Sequence, residues 1–418
     1  MSTGTHVRRP FDLPRGERLS NRLAKAAMSE ALADAEGNVT EELLLLYRTW
    51  SQTSGCALLI TGNVTVDKRY VAEPGNVMLS PESDLDGLRA WAAAGRSGGN
   101  QLWMQLNHPG RQANALASRL RPVAPSAIAA NFPGAVRPRA LEPDQIHTIV
   151  AGFAAAAAAA RAVGFDGVQI HAAHGYLISQ FLSPLSNQRA DEWGGALDNR
   201  MRFALAVVRA VRDAVGADYP VGIKLNSADF QRGGFTETES MLVAEVLAAE
   251  GVDLIEISGG SFSSPVMTGV NLAPSTSARE AYFQTYAEQL RVRTNQIPLM
   301  LTGGFRTVEA MESALSAGAC DIVGLARMLC VTPSAGTTVL AGRSPTAPTG
   351  SHRIGMRWLF QRLTDIHRLD GILDVQWHTD QIHRIAAGLD PEPDRHWSRA
   401  LVAAVRRNGF GALRKRRS

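Results

Sequence analysis

The 418-residue chain is 45% apolar and 20% charged, which suits a folded protein with a large core and excludes a disordered one. Arg8, Arg9, Pro10, Pro14 and Arg15 break up the N-terminal segment, and no apolar run reaches the ~18 residues of a membrane span, so the expectation is a cytoplasmic protein without leader or membrane anchor. The net charge of +4 conceals an asymmetry: residues 351–418 hold 13 basic against 7 acidic side chains, and the remainder 30 against 32.

The closing Arg414-Lys415-Arg416-Arg417 therefore reads as a solvated chain end, and no nucleic-acid partner is expected from it. Cys56, Cys320 and Cys330 form neither a C-x-x-C pair nor an even framework. Buried free thiols are expected, with no disulfide and no structural zinc.

From Leu23 onward, short apolar runs alternate with longer helix-patterned segments. The predicted strands are Leu23–Met28, Ala57–Thr61, Gln101–Leu106, Gly167–His171, Val221–Leu225, Leu254–Ser258, Leu299–Thr302 and Ile322–Leu325. Helices are predicted to open near Thr40, Glu82, Glu142, Asn199, Thr236, Tyr282 and Thr307, several of them at capping residues. Eight such units predict an α/β fold, a closed parallel (β/α)8 barrel, which typically needs about 250 residues plus insertions. The rival, an open doubly wound sheet, lacks its phosphate turn, since no G-x-G-x-x-G follows the first strand.

Long insertions follow the third strand (Pro109 to Leu141) and the fourth (Leu182 to Leu197), on the face where barrel loops build active sites. The barrel is expected over residues 1–335. Residues 335–350, rich in Pro, Gly, Ser and Thr, read as a linker, followed by a basic C-terminal extension with amphipathic helices at Ile354 to Leu369 and Asp380 to Ala387. Trp358, Trp377 and Trp397 suggest burial, by packing on the barrel or at a contact in a homo-oligomer.

The chemistry concentrates at the end of the fourth strand, in His171-Ala172-Ala173-His174-Gly175-Tyr176. Imidazole N–H groups polarise a carbonyl oxygen and stabilise an enolate, and a phenol supplies a proton to carbon. The other reading of two nearby histidines is a metal site or a pair of satisfied structural groups, although no third ligand is apparent and no metal is expected.

That string, continued by Gln180-Phe181-Leu182-Ser183-Pro184 and Asn187-Gln188-Arg189-Ala190-Asp191-Glu192-Trp193-Gly194-Gly195, closely resembles the old yellow enzyme family of FMN-dependent ene-reductases. The resemblance extends to Asn21-Arg22, Gln105-Leu106-Asn107-His108-Pro109-Gly110-Arg111, Thr302-Gly303-Gly304 and Gly324-Leu325-Ala326-Arg327, so it covers the predicted barrel and stops before the tail.

It implies FMN as cofactor and NADH or NADPH as reductant, entering the same pocket as a small-molecule acceptor. His171 and His174 would bind the acceptor's activating oxygen and Tyr176 would be the proton donor. Gln105 would meet the pyrimidine edge of the flavin, with Ala27, Met28, Ser29 and Gly62 along its face. Lys224 stands where many relatives have arginine, a cation favouring the anionic reduced flavin. Gly303, Gly304, Gly324 and Arg327 would hold the phosphate, where barrels often bind one.

Departures from the family leave substrate choice open: Ala27 replaces a common proline, and Ala31 falls near a position where some relatives have a tyrosine. His108 and Arg111 stay outside the catalytic set, because an HPGR turn also braces a long loop. Two alternatives remain: a flavin-dependent dehydrogenase or demethylase acting at a C–N bond, and a flavin binder without turnover. The four-cysteine run of iron–sulfur relatives is absent from the sequence.

Overall fold

Eight parallel strands close on themselves: β1 (Leu23–Lys25), β2 (Leu58–Thr65), β3 (Gln101–Asn107), β4 (Gly167–Ala172), β5 (Val221–Asn226), β6 (Leu254–Ser258), β7 (Leu299–Thr302) and β8 (Ile322–Leu325). Each pairs with the next, and β1 pairs with both β8 and β2, completing a (β/α)8 barrel. The computed structural model describes residues 5–16, 18–80, 83–131, 134–259, 283–294, 297–345 and 366–406.

The outer helices are α1 (Glu41–Thr53), α2 (Leu85–Arg96), α3 (Pro143–Ala162), α4 (Leu197–Val215), α5 (Glu237–Ala249), α6 (Gln284–Thr294) and α7 (Val308–Ser316). Thr40, Thr236 and Thr307 cap α1, α5 and α7, each accepting a backbone N–H into its hydroxyl; Thr236 and Glu239 form a reciprocal capping box. The predicted start at Glu82 lies outside the described residues, and Asp84 is the cap of α2. Tyr282 likewise lies outside them.

Alternation along the strands sorts side chains between two cores. One set faces the helices and joins the main core, with Trp50, Trp91, Phe153 and Phe203 fully buried. The other faces the barrel axis, where Ala24, Leu58, Trp103, Leu254, Met300 and Ile322 pack together with Leu13 and Leu19 of the N-terminal segment. Trp103 fits because its neighbouring strands carry glycine: a Cβ at Gly167 or Gly222 would lie 2.7 or 2.9 Å from the indole. Toward the C-terminal ends of the same inward rows, the residues become polar: Gln105 and Asn107, Gln169 and His171, Lys224 and Asn226, Glu256 and Ser258, then Thr302. An apolar floor under a polar mouth is the result.

Two predicted strand bounds move by more than one residue. β1 ends at Lys25, although Ala26 N still donates to Leu325 O at 2.8 Å. β2 runs past the predicted stop at Thr61 to Thr65, because Gly62 lies in an irregularity, a register shift between Ile60 and Asn63, and does not end the strand.

The tail also departs from its predicted layout. Ala335–Leu340, predicted as the start of a linker, is a helix, and Thr337 Oγ1 donates to Thr53 O at 2.8 Å, tying it to the end of α1. The proposed boundary at 335 thus falls inside an element that packs on the barrel. Beyond it, Ile366–Ala386 is one continuous helix, α8, that fills the gap between the two predicted segments, residues 354–365 of the first lying outside the described residues, and Trp397–Val405 is α9. Trp377 is fully buried and donates from Nε1 to Arg395 O, and Trp397 is half-buried. Trp358 lies outside the described residues. Among those residues no helix is long and apolar enough to cross a membrane.

Candidate active site

His171 closes β4 on its inward face, and the next residues turn sharply to bring two more rings beside it. His174 adopts φ +59°, a left-handed conformation unusual for a residue with a side chain. Asn226 Oδ1 accepts from its backbone N–H at 3.1 Å, and Gln112 Nε2 donates to its carbonyl at 2.9 Å. The rings of His174 and Tyr176 lie 5.1 and 4.8 Å from that of His171, both edge-on. The trio named from sequence converges.

Local bonds set the protonation of each ring. Ala173 N–H donates to His171 Nδ1 at 3.2 Å, which leaves Nε2 as the protonated nitrogen of the neutral ring. His174 Nε2 lies 2.7 Å from Ser258 Oγ. Burial, and next the Lys224 cation, hold both imidazoles well below the ordinary histidine range, and His171 depresses His174 further. Both are therefore neutral N–H donors at physiological pH. Burial and the Glu73 carboxylate raise the Tyr176 phenol well above its usual value, against a smaller opposite effect of Asn63, whose Nδ2 donates to the phenol oxygen at 3.1 Å. Tyr176 is thereby held as an undissociated acid.

Beneath the trio lies a buried chain of polar groups. Gln105 Nε2 donates to Gln169 Oε1 at 2.7 Å, and Gln169 Nε2 donates to Glu256 Oε2 at 2.8 Å. The other carboxylate oxygen, Glu256 Oε1, is 2.9 Å from Lys224 Nζ, an ion pair by distance without the alignment of a hydrogen bond. Lys224, expected as a cation beside the flavin, has a buried counter-ion.

The Ser29 hydroxyl donates to Glu73, while Asn76 Nδ2 donates to it at 3.1 Å. Ala27, Met28 and Ser29 follow β1 at the mouth. Gly62 N–H donates to Glu30 Oε1 at 2.9 Å, and a Cβ at Gly62 would fall onto the Glu30 carboxylate, so the glycine permits a close approach of β2 to the segment after β1.

On the opposite side, Gly303 and Gly304 follow β7 with φ +136° and +84°. Gly324 in β8 has a packing reason to be glycine, since its Cβ would sit 2.0 Å from Thr302 Oγ1. Arg327 opens the short helix Arg327–Val331 after β8 and pairs with Asp374 of α8 at 3.2 Å. The C-terminal extension reaches the mouth at a second point, where His383 Nε2 meets Glu30 O at 2.8 Å.

The residues of the long family string act as braces. Arg189 donates to Pro125 O and Leu141 O, joining the two long insertions, and Asn187 Nδ2 donates to Phe181 O and Trp193 O. In the HPGR turn, Gly110 N–H donates to His108 Nδ1 and Arg111 N–H to Gln180 Oε1, in keeping with a brace. Asn63, Glu73, Gln169 and Glu256 were not singled out from sequence; for the last two, the signal was a polar residue on the inward parity of an otherwise apolar strand.

The mouth suits a polar planar cofactor on structural grounds. Thr302 Oγ1 and both amide atoms of Asn107 are buried, at the ends of β7 and β3, with no hydrogen-bond partner among the described residues. Such groups are costly unless something satisfies them. A phosphate and a flavin ring carry the acceptors and donors to do so.

Comparison with known proteins agrees. Residues 8–345 match the model of the NADH:flavin oxidoreductase / NADH oxidase family. The chain is 36% identical over 405 residues to the NADH-dependent flavin oxidoreductase iliE of Hypocrea jecorina (strain QM6a), covering 90% of this chain and 98% of that one. It is 34% identical over 322 residues to an NADH oxidase of Thermoanaerobacter brockii, covering 75% of this chain and 48% of that one. Among solved structures, 2-naphthoyl-CoA reductase superposes with a TM-score of 0.75 at 27% identity, over 81% of this chain and 52% of that one. Morphinone reductase, at 24% identity, shares the fold with a TM-score of 0.69 over 83% and 92%. The chain therefore belongs to the NADH:flavin oxidoreductase / NADH oxidase family, as an enzyme that uses FMN and a reduced nicotinamide.

Proposed function

We propose that this enzyme reduces a carbon–carbon double bond activated by a neighbouring carbonyl or nitro group. The observation that carries the proposal is the convergence of two neutral imidazoles and an undissociated phenol at the end of β4. FMN, when bound, carries hydride from the nicotinamide to the acceptor's β-carbon.

His171, through Nε2–H, and His174 hold the activating oxygen and stabilise the negative charge that develops there. Neutral donors suit that task, because they bind an oxygen without being consumed as acids. Tyr176 gives its proton to the α-carbon, and Asn63 stabilises the oxygen it leaves behind. Gln105 and Lys224 would hold the flavin ring, together with Ala27, Met28, Ser29 and Gly62, and Gly303, Gly304, Gly324 and Arg327 would hold the phosphate.

Turnover of 2-cyclohexenone with deuterium-labelled NADH or NADPH, then with unlabelled reductant in D2O, tests the reading. Label from the reductant belongs on the β-carbon and label from solvent on the α-carbon. Flavin reduction without either product would sink the proposal and favour chemistry at a C–N bond.

A further inference from the structure

Glu256 is a fully buried carboxylate that serves two partners at once: Gln169 Nε2 at Oε2 and the Lys224 ammonium at Oε1. Only a carboxylate offers two acceptor oxygens and no donor, and this fixes the direction of everything linked to it. Gln169 must turn its NH2 toward Glu256 and its carbonyl toward Gln105. Gln105 must then turn its NH2 toward Gln169. The same carboxylate is the counter-ion of Lys224.

We infer that Glu256 is a positioning residue for the cofactor: it sets the orientation of the Gln105 amide through Gln169 and opposes the field of Lys224 at the flavin. The inference rests on the proposed placement of Gln105 and Lys224 at the flavin ring. In E256Q the new amide has one acceptor, which the ammonium claims, so its NH2 faces Gln169 and the whole chain reverses. Lys224 becomes an uncompensated cation in a low-dielectric site, which favours the anionic reduced flavin.

The test is the two-electron reduction potential of bound FMN, measured by dye equilibration in the purified holoprotein. E256Q is expected to shift the equilibrium at least tenfold toward the reduced form, a rise of about 30 mV. A potential within twofold of wild type, with FMN bound, overturns the inference and leaves Glu256 a structural group. If E256Q does not retain FMN, the doubly neutral K224M/E256M variant, which strands no charge, decides the matter. A change under threefold there supports a self-cancelling pair, and a tenfold change contradicts it. Failure of the ene-reductase proposal would appear separately, as absent cyclohexanone formation, whatever the potential.

Discussion

Asn63 donates to the Tyr176 hydroxyl at 3.1 Å from the far side of a β2 register shift, so an irregularity in one strand supports the acid delivered by the loop after another. A regular strand would place residue 63 on the opposite face. The proposed proton donor thus depends on a backbone feature some 113 residues away in the chain.

Replacing Tyr176 by Phe is expected to slow reoxidation of the flavin by 2-cyclohexenone about 10²- to 10⁴-fold, the usual contribution of a placed general acid. Flavin reduction by the nicotinamide should stay within about threefold, because it needs no proton from Tyr176. Stopped-flow measurement of each half-reaction separates the two. Asn63→Leu should slow only the same half-reaction, by about tenfold, the worth of one hydrogen bond. Equal losses in both half-reactions would remove the assignment.

The histidines predict an acid-side instability. Their folded-state pKa values lie well below the ordinary histidine value near 6.5, chiefly through burial and then through Lys224. Below that value the unfolded chain binds protons that the folded one refuses, so stability is full above about pH 6.5 and declines as pH falls. Urea unfolding at pH 7.5 and pH 5 should show this decline, and a H171N/H174N variant should show less of it. The same variant should bind carbonyl acceptors about tenfold more weakly while retaining FMN. An unchanged pH slope would mean that the two rings titrate normally.

Gly62→Ala should destabilise the protein by about 1–3 kcal/mol, since the new methyl falls onto the Glu30 carboxylate and Met28 O, the latter at 2.3 Å. The loop carrying Ala27 to Glu30 must shift to admit it. Thermal unfolding, with FMN content measured alongside, reports both effects. A wild-type Tm would show that the loop gives way freely.

Arg327→Ala separates the phosphate from the ring. Loss of a charge-assisted contact, about 1.5–3 kcal/mol, predicts FMN binding weaker by roughly ten- to a hundredfold. Riboflavin, which lacks the phosphate, should bind both proteins alike. Equal weakening for the two ligands would indicate that Arg327 acts through Asp374 and the packing of α8.

The fold was legible because its signals are local and repeated. The barrel strands announce themselves as short apolar runs between helix-patterned segments, and Thr40, Thr236 and Thr307 cap as expected. The proposed catalytic trio was legible because it lies within six consecutive residues. What escaped depends on contacts between distant segments. Glu256 reads as an isolated acid in an apolar strand, and only strand register places it beside Lys224. Glu73 sits on a loop whose course over Ser29 no periodicity reveals. The tail was misread because Pro, Gly, Ser and Thr composition suggested a linker where Ala335–Leu340 packs as a helix.

The most direct test of the account is anaerobic titration of the purified protein, followed by its visible spectrum. Addition of NADH or NADPH should bleach a bound flavin, and 2-cyclohexenone should then restore its absorbance with stoichiometric formation of cyclohexanone. A flavin that bleaches but is reoxidised only when oxygen is admitted, whatever activated alkene is offered, would contradict the proposed reaction.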